Sequence, residues 1–152
     1  MEAGGHVWST VATLVLIPAV VDAVGPVPVI AAGGIADGRG LAAVLALGAC
    51  AGWIGTRFLL ATESTIDSVR RDKLVAAGEA DTVMGKDPQP RWRDSAIRWI
   101  GQPKERWAYE YDTDGAQLAG QGVGLVRREQ PAAEIVAEIW RDANGIIRSL
   151  QD

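Results

Sequence analysis

The sequence predicts an α/β protein built on a parallel sheet, and two observations carry this. A helix, a strand, a helix and a second strand follow one another within about 40 residues near the start, the order that threads a parallel sheet. The first strand, Val27–Ala32, is wholly apolar and rich in β-branched residues, as a parallel strand covered on both faces should be.

Each element has a local signal. Pro18 suits the first turn of a helix over Pro18–Val24, where its missing N–H has no partner to lose, and Gly25-Pro26 ends that helix. Thr10 to Val15 is an apolar loop or lead-in. After the strand come Gly33-Gly34 and then Asp37, the expected N-cap of a helix over Arg39–Leu47. Leu41, Val44, Leu45 and Leu47 are its apolar set, with Gly48 at its end. Gly52–Ile54 reads as the second short buried strand, closed by Gly55-Thr56. Beyond Thr62 the character changes. Ile66–Gly78 reads as a charged amphipathic helix, and Asp81–Arg91 as a loop with two prolines. Arg91–Ile100 reads as a helix with Trp92, Ala96, Trp99 and Ile100 on one side. Gln102–Asp114 reads as irregular, and Leu118–Val126 carries Gly120, Gly122 and Gly124. Pro131 opens a terminal helix to about Leu150, with Ile135, Ile139 and Ile146 in its stripe.

Composition excludes several classes of function. Of 152 residues, 48% are hydrophobic and 22% charged, which argues against disordered, collagen-like and coiled-coil chains. A net charge of −4 offers no basic field for a phosphate backbone, so nucleic acid is not an expected partner. One cysteine, Cys50, and one histidine, His6, exclude an internal disulfide, a two-imidazole site and a zinc cluster, and no metal is expected. A lone thiol fits a reducing, cytoplasmic compartment. The first residues lack the positive n-region of a secretory signal. The longest apolar stretch, Val11–Ile35, is broken by Asp22, three prolines and Gly33-Gly34, so no membrane span is expected.

Chemistry can come from three glycine-bearing elements: Glu2-Ala3-Gly4-Gly5-His6, Ala31-Ala32-Gly33-Gly34-Ile35 and Ile54-Gly55-Thr56-Arg57. The second and third each follow a strand, at the edge of a parallel sheet where ligands bind. Two consecutive loops of this kind make a phosphate cradle of backbone N–H groups; the plainer reading is two turns. His6 can serve as a base, or be a solvated terminal histidine. Glu2 reads as a solvated terminal carboxylate and Cys50 as structural. Trp8, Trp92, Trp99, Trp107 and Trp140 read as packing residues, and Trp53 adjoins the third loop.

Taken together, EAGGH at 2–6, VPVIAAGGIADGRGLAAVLALGA at 27–49 and WIGTRFLLATES at 53–64 resemble the nitronate monooxygenase (2-nitropropane dioxygenase) family of FMN-dependent (β/α)₈ barrels. GQGVGLVR at 120–127 resembles the family's C-terminal part. The likeness covers most of the chain and is densest over residues 1–85. It implies that His6 is the catalytic base removing the proton α to a nitro group, and that Gly4 lies in a cofactor-contacting loop. It implies Gly33 and Gly34 at the FMN phosphate, with Trp53, Ile54, Gly55 and Thr56 as the second phosphate-side loop. The implied reaction oxidises alkyl nitronates or nitroalkanes with O2 to carbonyl compounds and nitrite. Trp8 stands where the family usually has Gly, and Ala19 and Trp53 where Gln is common, departures that bear on the substrate pocket more than on the phosphate site.

A (β/α)₈ barrel takes about 250 residues. The resemblance therefore implies the C-terminal part of a TIM barrel, about the last two βα units, plus C-terminal helices. Residues 1–62 would be the partial barrel with the FMN-phosphate loops, and residues 63–152 a helical extension of the same domain. A truncated gene model, a fragment and half of a split enzyme all fit, and the expected protein partners are a missing N-terminal half or a second copy. Two further readings stand beside the first: an FMN-dependent enoyl-ACP reductase-like enzyme using NAD(P)H, and a non-catalytic fragment that needs the missing barrel half.

Overall fold

Asp37 does what its position before an apolar-periodic run requires. Its carboxylate accepts from the N–H groups of Arg39 and Gly40 at 3.0 and 3.1 Å and so starts a helix. The computed structural model describes residues 2–7, 10–86, 95–100 and 117–151. Strand β1 (Gly5–Val7) is followed by helix α1 (Thr13–Val24), strand β2 (Ile30–Ala32), helix α2 (Gly38–Ala46) and strand β3 (Ala51–Trp53). A 3₁₀ helix (Thr56–Leu60), helix α3 (Ser68–Ala76) and strands β4 (Thr82–Lys86) and β5 (Ala96–Ile100) come next. A second 3₁₀ helix (Gln121–Leu125) and helix α4 (Ala132–Ser149) complete the described elements.

Strands β2 and β3 pair in parallel through the α2 crossover, Ile30 opposite Ala51 and Ala32 opposite Trp53. Cys50, read as structural, is exposed; its N–H rather than its thiol does the work, donating to the Val29 carbonyl at 2.8 Å. Ile17, Ala31, Ile35, Val44 and Ala49 pack into one cluster that seals one face of the pair. The expectation of cover on both faces is corrected, because Ile30 is 55% and Trp53 71% exposed. The apolar cluster holds Ala31, and Ile30 and Ala32 alternate to the opposite, open face.

Helix α1 starts earlier than expected, at Thr13, so Pro18 lies inside it rather than in its first turn. There the missing N–H leaves the Leu14 carbonyl without its ladder donor. The early start is fixed from a distance. Ala12 at the N-cap has no capping side chain, and the Glu2 carboxylate stands in, accepting from the Thr13 N–H at 3.0 Å and hydroxyl at 2.6 Å.

Helix α3 forms as expected, capped by Asp67, whose side chain accepts from the Arg70 N–H at 2.9 Å. The loop expected over Asp81–Arg91 and the helix expected over Arg91–Ile100 are both corrected. Residues 82–86 and 96–100 are antiparallel strands, Thr82 opposite Ile100, in a sheet ordered β1-β5-β4. Four consecutive residues of β5 are buried, so its two faces show no alternation, and the spacing of Ala96, Trp99 and Ile100 imitates a helix. Trp8, Trp92, Trp107 and the segment 102–114 lie outside the described residues. Trp99 is buried as expected, whereas Trp140 is 56% exposed.

A second cluster, with Leu60, Leu74, Ile100, Val123 and Val126 at its centre, joins α3, β5 and the two 3₁₀ helices. Helix α4 buries Ile135, Ile139 and Ala143; Ala143 rather than Ile146 completes its stripe because the start of α2 lies there. A Cβ on Gly38 would stand 2.5 Å from the Asp142 Cβ and 2.7 Å from the Ala143 nitrogen. Gly38→Ala is therefore expected to destabilise the fold by about 1–3 kcal/mol, read from urea denaturation. An unchanged midpoint would show that α2 and α4 are not in contact at this point.

Candidate functional site

Because β2 and β3 are parallel, the residues that follow them emerge at one end of the sheet. Gly33 and Gly34 follow β2 with φ of +104° and +73°, backbone conformations that side-chain-bearing residues rarely adopt. Gly55 follows β3 and is exposed, with no atom within 4 Å of where a Cβ would stand. Among the described residues, no hydrogen bond outside the β2–β3 ladder engages the N–H groups of Gly33, Gly34 or Gly55. Accessible N–H donors of this kind can hold a dianion without a cationic side chain. Thr56 adds a hydroxyl, whose oxygen accepts from the Gly120 N–H at 2.9 Å and whose own proton is left to donate.

The segment Glu2–Gly4 threads between two glycine-lined walls. On one side, a Cβ at Gly33 would meet Ala3 at 3.1 Å and one at Gly34 would meet the Glu2 Cβ at 3.3 Å. On the other, a Cβ at Gly4 would fall 2.5 Å from the Ala119 carbonyl carbon, and one at Gly120 would fall 2.3 Å from the Glu2 carbonyl oxygen. The Gln121 N–H donates to that same oxygen at 2.9 Å. Gly4, Gly33, Gly34 and Thr56 are thus brought into one neighbourhood through Ala3 and Gly120.

The remaining expected residues are placed differently. His6, two residues past Gly4, is half-buried on β1 opposite Ile97. The expected base and the expected phosphate loops therefore come from different sheets that meet at Gly4 and Gly120. Trp53 is exposed beside the loops, and Ile54 packs against the apolar clusters, so its side chain serves the core. Behind the loops lies a cavity of about 110 Å³ between the start of α2, Arg57 and α4. Its charged lining is Arg57, Arg127 and Arg128 against Asp37, Glu138 and Asp142, which cancel. Among the described residues, no helix is long and apolar enough to cross a membrane, and no cluster of His, Cys, Asp or Glu could hold a metal ion.

The family model for nitronate monooxygenase matches residues 1–113. A nitronate monooxygenase of Pseudomonas aeruginosa is 33% identical over 177 residues, which cover 95% of this chain and 50% of that protein. An octahydro-indene carboxyl-CoA dehydrogenase of Rhodococcus jostii is 55% identical over 86 residues, covering 56% of this chain and 24% of its own length. The structure of FabK from Thermotoga maritima superposes with a TM-score of 0.84 at 33% identity, over 99% of this chain and 54% of that one. The chain thus spans about half the length of the Pseudomonas protein and of FabK, and about a quarter of the Rhodococcus protein.

Sequence reasoning missed Glu2, whose partner Thr13 is too distant in the chain to signal a cap. The spacing of Gly120 and Gly122 was visible, and close approach of Glu2 and Ala36 now accounts for it. Burial raises the Glu2 pKa, but the bonds from the Thr13 hydroxyl and N–H outweigh it and hold the carboxyl at about 2. A depressed folded-state pKa means stability that is complete above the ordinary value of 4.5 and is lost as pH falls towards about 2. Glu2→Gln is expected to cost about 1 kcal/mol at neutral pH and to flatten that acid limb, in denaturant titrations run across the acid range. An acid limb identical to wild type would remove Glu2 as the cap of α1.

Proposed function

The chain belongs to the nitronate monooxygenase family, and from that premise we propose that it is the flavin-phosphate-binding part of an FMN-dependent oxidoreductase. The proposed reaction oxidises alkyl nitronates or nitroalkanes with O2 to carbonyl compounds and nitrite. The observation that supports it most is the parallel β2–β3 pair, with the glycine loops Gly33-Gly34 and Gly55 at one end and the exposed N–H groups of Gly34 and Gly55 bonded to nothing outside the ladder. These donors and the Thr56 hydroxyl fit an FMN phosphate: they are accessible and neutral, and at Gly33 and Gly34 a side chain would crowd Ala3 and Glu2. Gly4, Trp53 and Ile54 would complete the cofactor's surroundings, Ile54 through its backbone. When bound, FMN would supply the electron transfer between substrate and O2. His6 would take the proton α to the nitro group, a task for which the ring needs only one free nitrogen.

In this reading β2 and β3 are neighbouring strands of a (β/α)₈ barrel whose other strands lie outside these 152 residues. Residues 1–62 belong to the barrel, and residues 63–152 extend the same domain. The exposure of Ile30 and Trp53 is then that of a barrel interior awaiting its remaining wall. A reducing, cytoplasmic setting suits the exposed Cys50 thiol. A second reading, a flavin reductase acting on an acyl thioester with NAD(P)H, is favoured by the likeness to FabK and to the Rhodococcus carboxyl-CoA dehydrogenase.

Fluorescence titration of the 152-residue chain with FMN is expected to show binding weaker than micromolar that inorganic phosphate displaces, because the contacts to the ring lie elsewhere. Binding that phosphate leaves untouched would sink the cradle. In a barrel completed with the rest of the Pseudomonas relative, nitrite release without NADH consumption supports the first reading, and the reverse supports the second. His6→Ala in that enzyme is expected to slow neutral nitroalkanes by about 10²–10⁴-fold and to spare nitronates, which have already lost the proton. Equal losses on both substrates would leave His6 a binding residue.

A further inference from the structure

We propose that Arg57 is the positioning residue of the Gly55–Thr56 loop, holding its N–H groups in the direction that a phosphate needs. The inference rests on the phosphate reading above and assigns a role to a residue outside that donor set. Gly55, at the tip, has open space on the side where a Cβ would stand, and as N-cap of the 3₁₀ helix it receives no side-chain bond; its one tether is its own carbonyl, which accepts from the Phe58 N–H at 2.9 Å inside the helix. The loop is therefore fixed by the next two residues. Thr56 is pinned by the Gly120 N–H. Arg57 is pinned from behind.

The Arg57 side chain is only 7% exposed. Its Nη1 donates to the Arg128 carbonyl at 3.2 Å, and its Nη2 donates to the Gln130 Oε1. Gln130 is itself held on three sides. Its Nε2 donates to Glu138 at 2.8 Å, its N–H donates to the Leu60 carbonyl at 3.2 Å, and its carbonyl accepts from the Thr62 N–H at 3.0 Å. One guanidinium thus ties the first turn of the 3₁₀ helix to the segment that also grips its last turn, and the orientation of the whole helix is set.

The choice of residue is costly in a way that points to geometry. Both direct partners of Arg57 are neutral oxygens, and Glu138 is engaged by Arg128 and Gln130 instead. A buried cation without a directly bonded carboxylate is harder to accommodate than an apolar chain of equal length. What the apolar chain would lack is the planar fork that fixes two directions at once. The cavity beside Arg57 leaves room for a less constrained side chain to move.

The test is the affinity of the full chain for inorganic phosphate, followed by 31P line broadening, for wild type, Arg57→Lys, Arg57→Met and Gln130→Ala. Each variant is measured well below its own melting midpoint, so that folded protein is compared with folded protein. Positioning predicts a loss on the order of tenfold in Arg57→Lys and Gln130→Ala alike, since a misplaced donor is a weak one even with the charge retained. Wild-type affinity in both variants overturns the proposal, as does a loss in Arg57→Met that Arg57→Lys fully repairs, which would make the charge the cause. If Arg57→Met does not fold, the other two variants decide. If wild type binds no phosphate, the phosphate reading itself falls and takes this assignment with it.

Discussion

Backbone lying directly against backbone holds the site of this protein together. Residues 2–4 run between Gly33-Gly34, which face the Ala3 and Glu2 Cβ atoms, and Ala119-Gly120, where backbone meets backbone and a methyl group at Gly120 would sit 2.3 Å from the Glu2 carbonyl oxygen. Such contact lets N–H and C=O groups of distant segments meet, as Gln121 meets Glu2 and Gly120 meets Thr56. The consequences spread along the chain. With its backbone fixed there, Glu2 can reach Thr13 and start α1. The strand that carries His6 leaves the same contact and pairs with β5. A glycine at any of these points therefore sets the relation between two sheets, beyond its local freedom of φ.

Charge is kept behind this contact rather than in it. The ionic groups near the loops are spent on one another, on backbone or on a neutral side-chain amide. Arg71 spans Glu129 and the Ser64 carbonyl, Arg128 meets Glu138, and Arg57 meets two neutral oxygens. The donors left at the sheet end are neutral N–H groups. Donors of this kind can hold an anion through dipoles fixed by the fold, without reorganisation. It also avoids burying a cation against the apolar face beside it, where an empty site would leave that charge unpaired.

What could be read from the sequence was whatever is decided locally. Asp37 before an apolar run, the glycine pair after a β-branched stretch, and the Ile135 and Ile139 spacing after Pro131 each specify their element within a few residues, and each formed. Strands β4 and β5 were misread because β5 is buried on both faces and shows no alternation, while its large residues recur at a helical interval. The start of α1 was misplaced because its cap comes from Glu2, eleven residues away. The site divides in the same manner. The loops after β2 and β3 were legible from glycine and strand order, and the Ala119–Gln121 wall that holds Glu2–Gly4 against them was not. Glycine spacing marked the wall, but nothing local says which segment lies against it.

The bare face of the parallel pair and the donors at its end belong to one surface. Parallel strands are ordinarily covered on both sides, since an uncovered apolar face loses the burial that stabilises it. Here Ile30 and Trp53 stay largely in solvent, on the face opposite the one that α1 covers. Trp53 stands two residues before Gly55, so the open apolar ground runs up to the polar donors. In the barrel proposed for this chain, the remaining wall would cover that face, and the donors at the strand ends would stay at its rim.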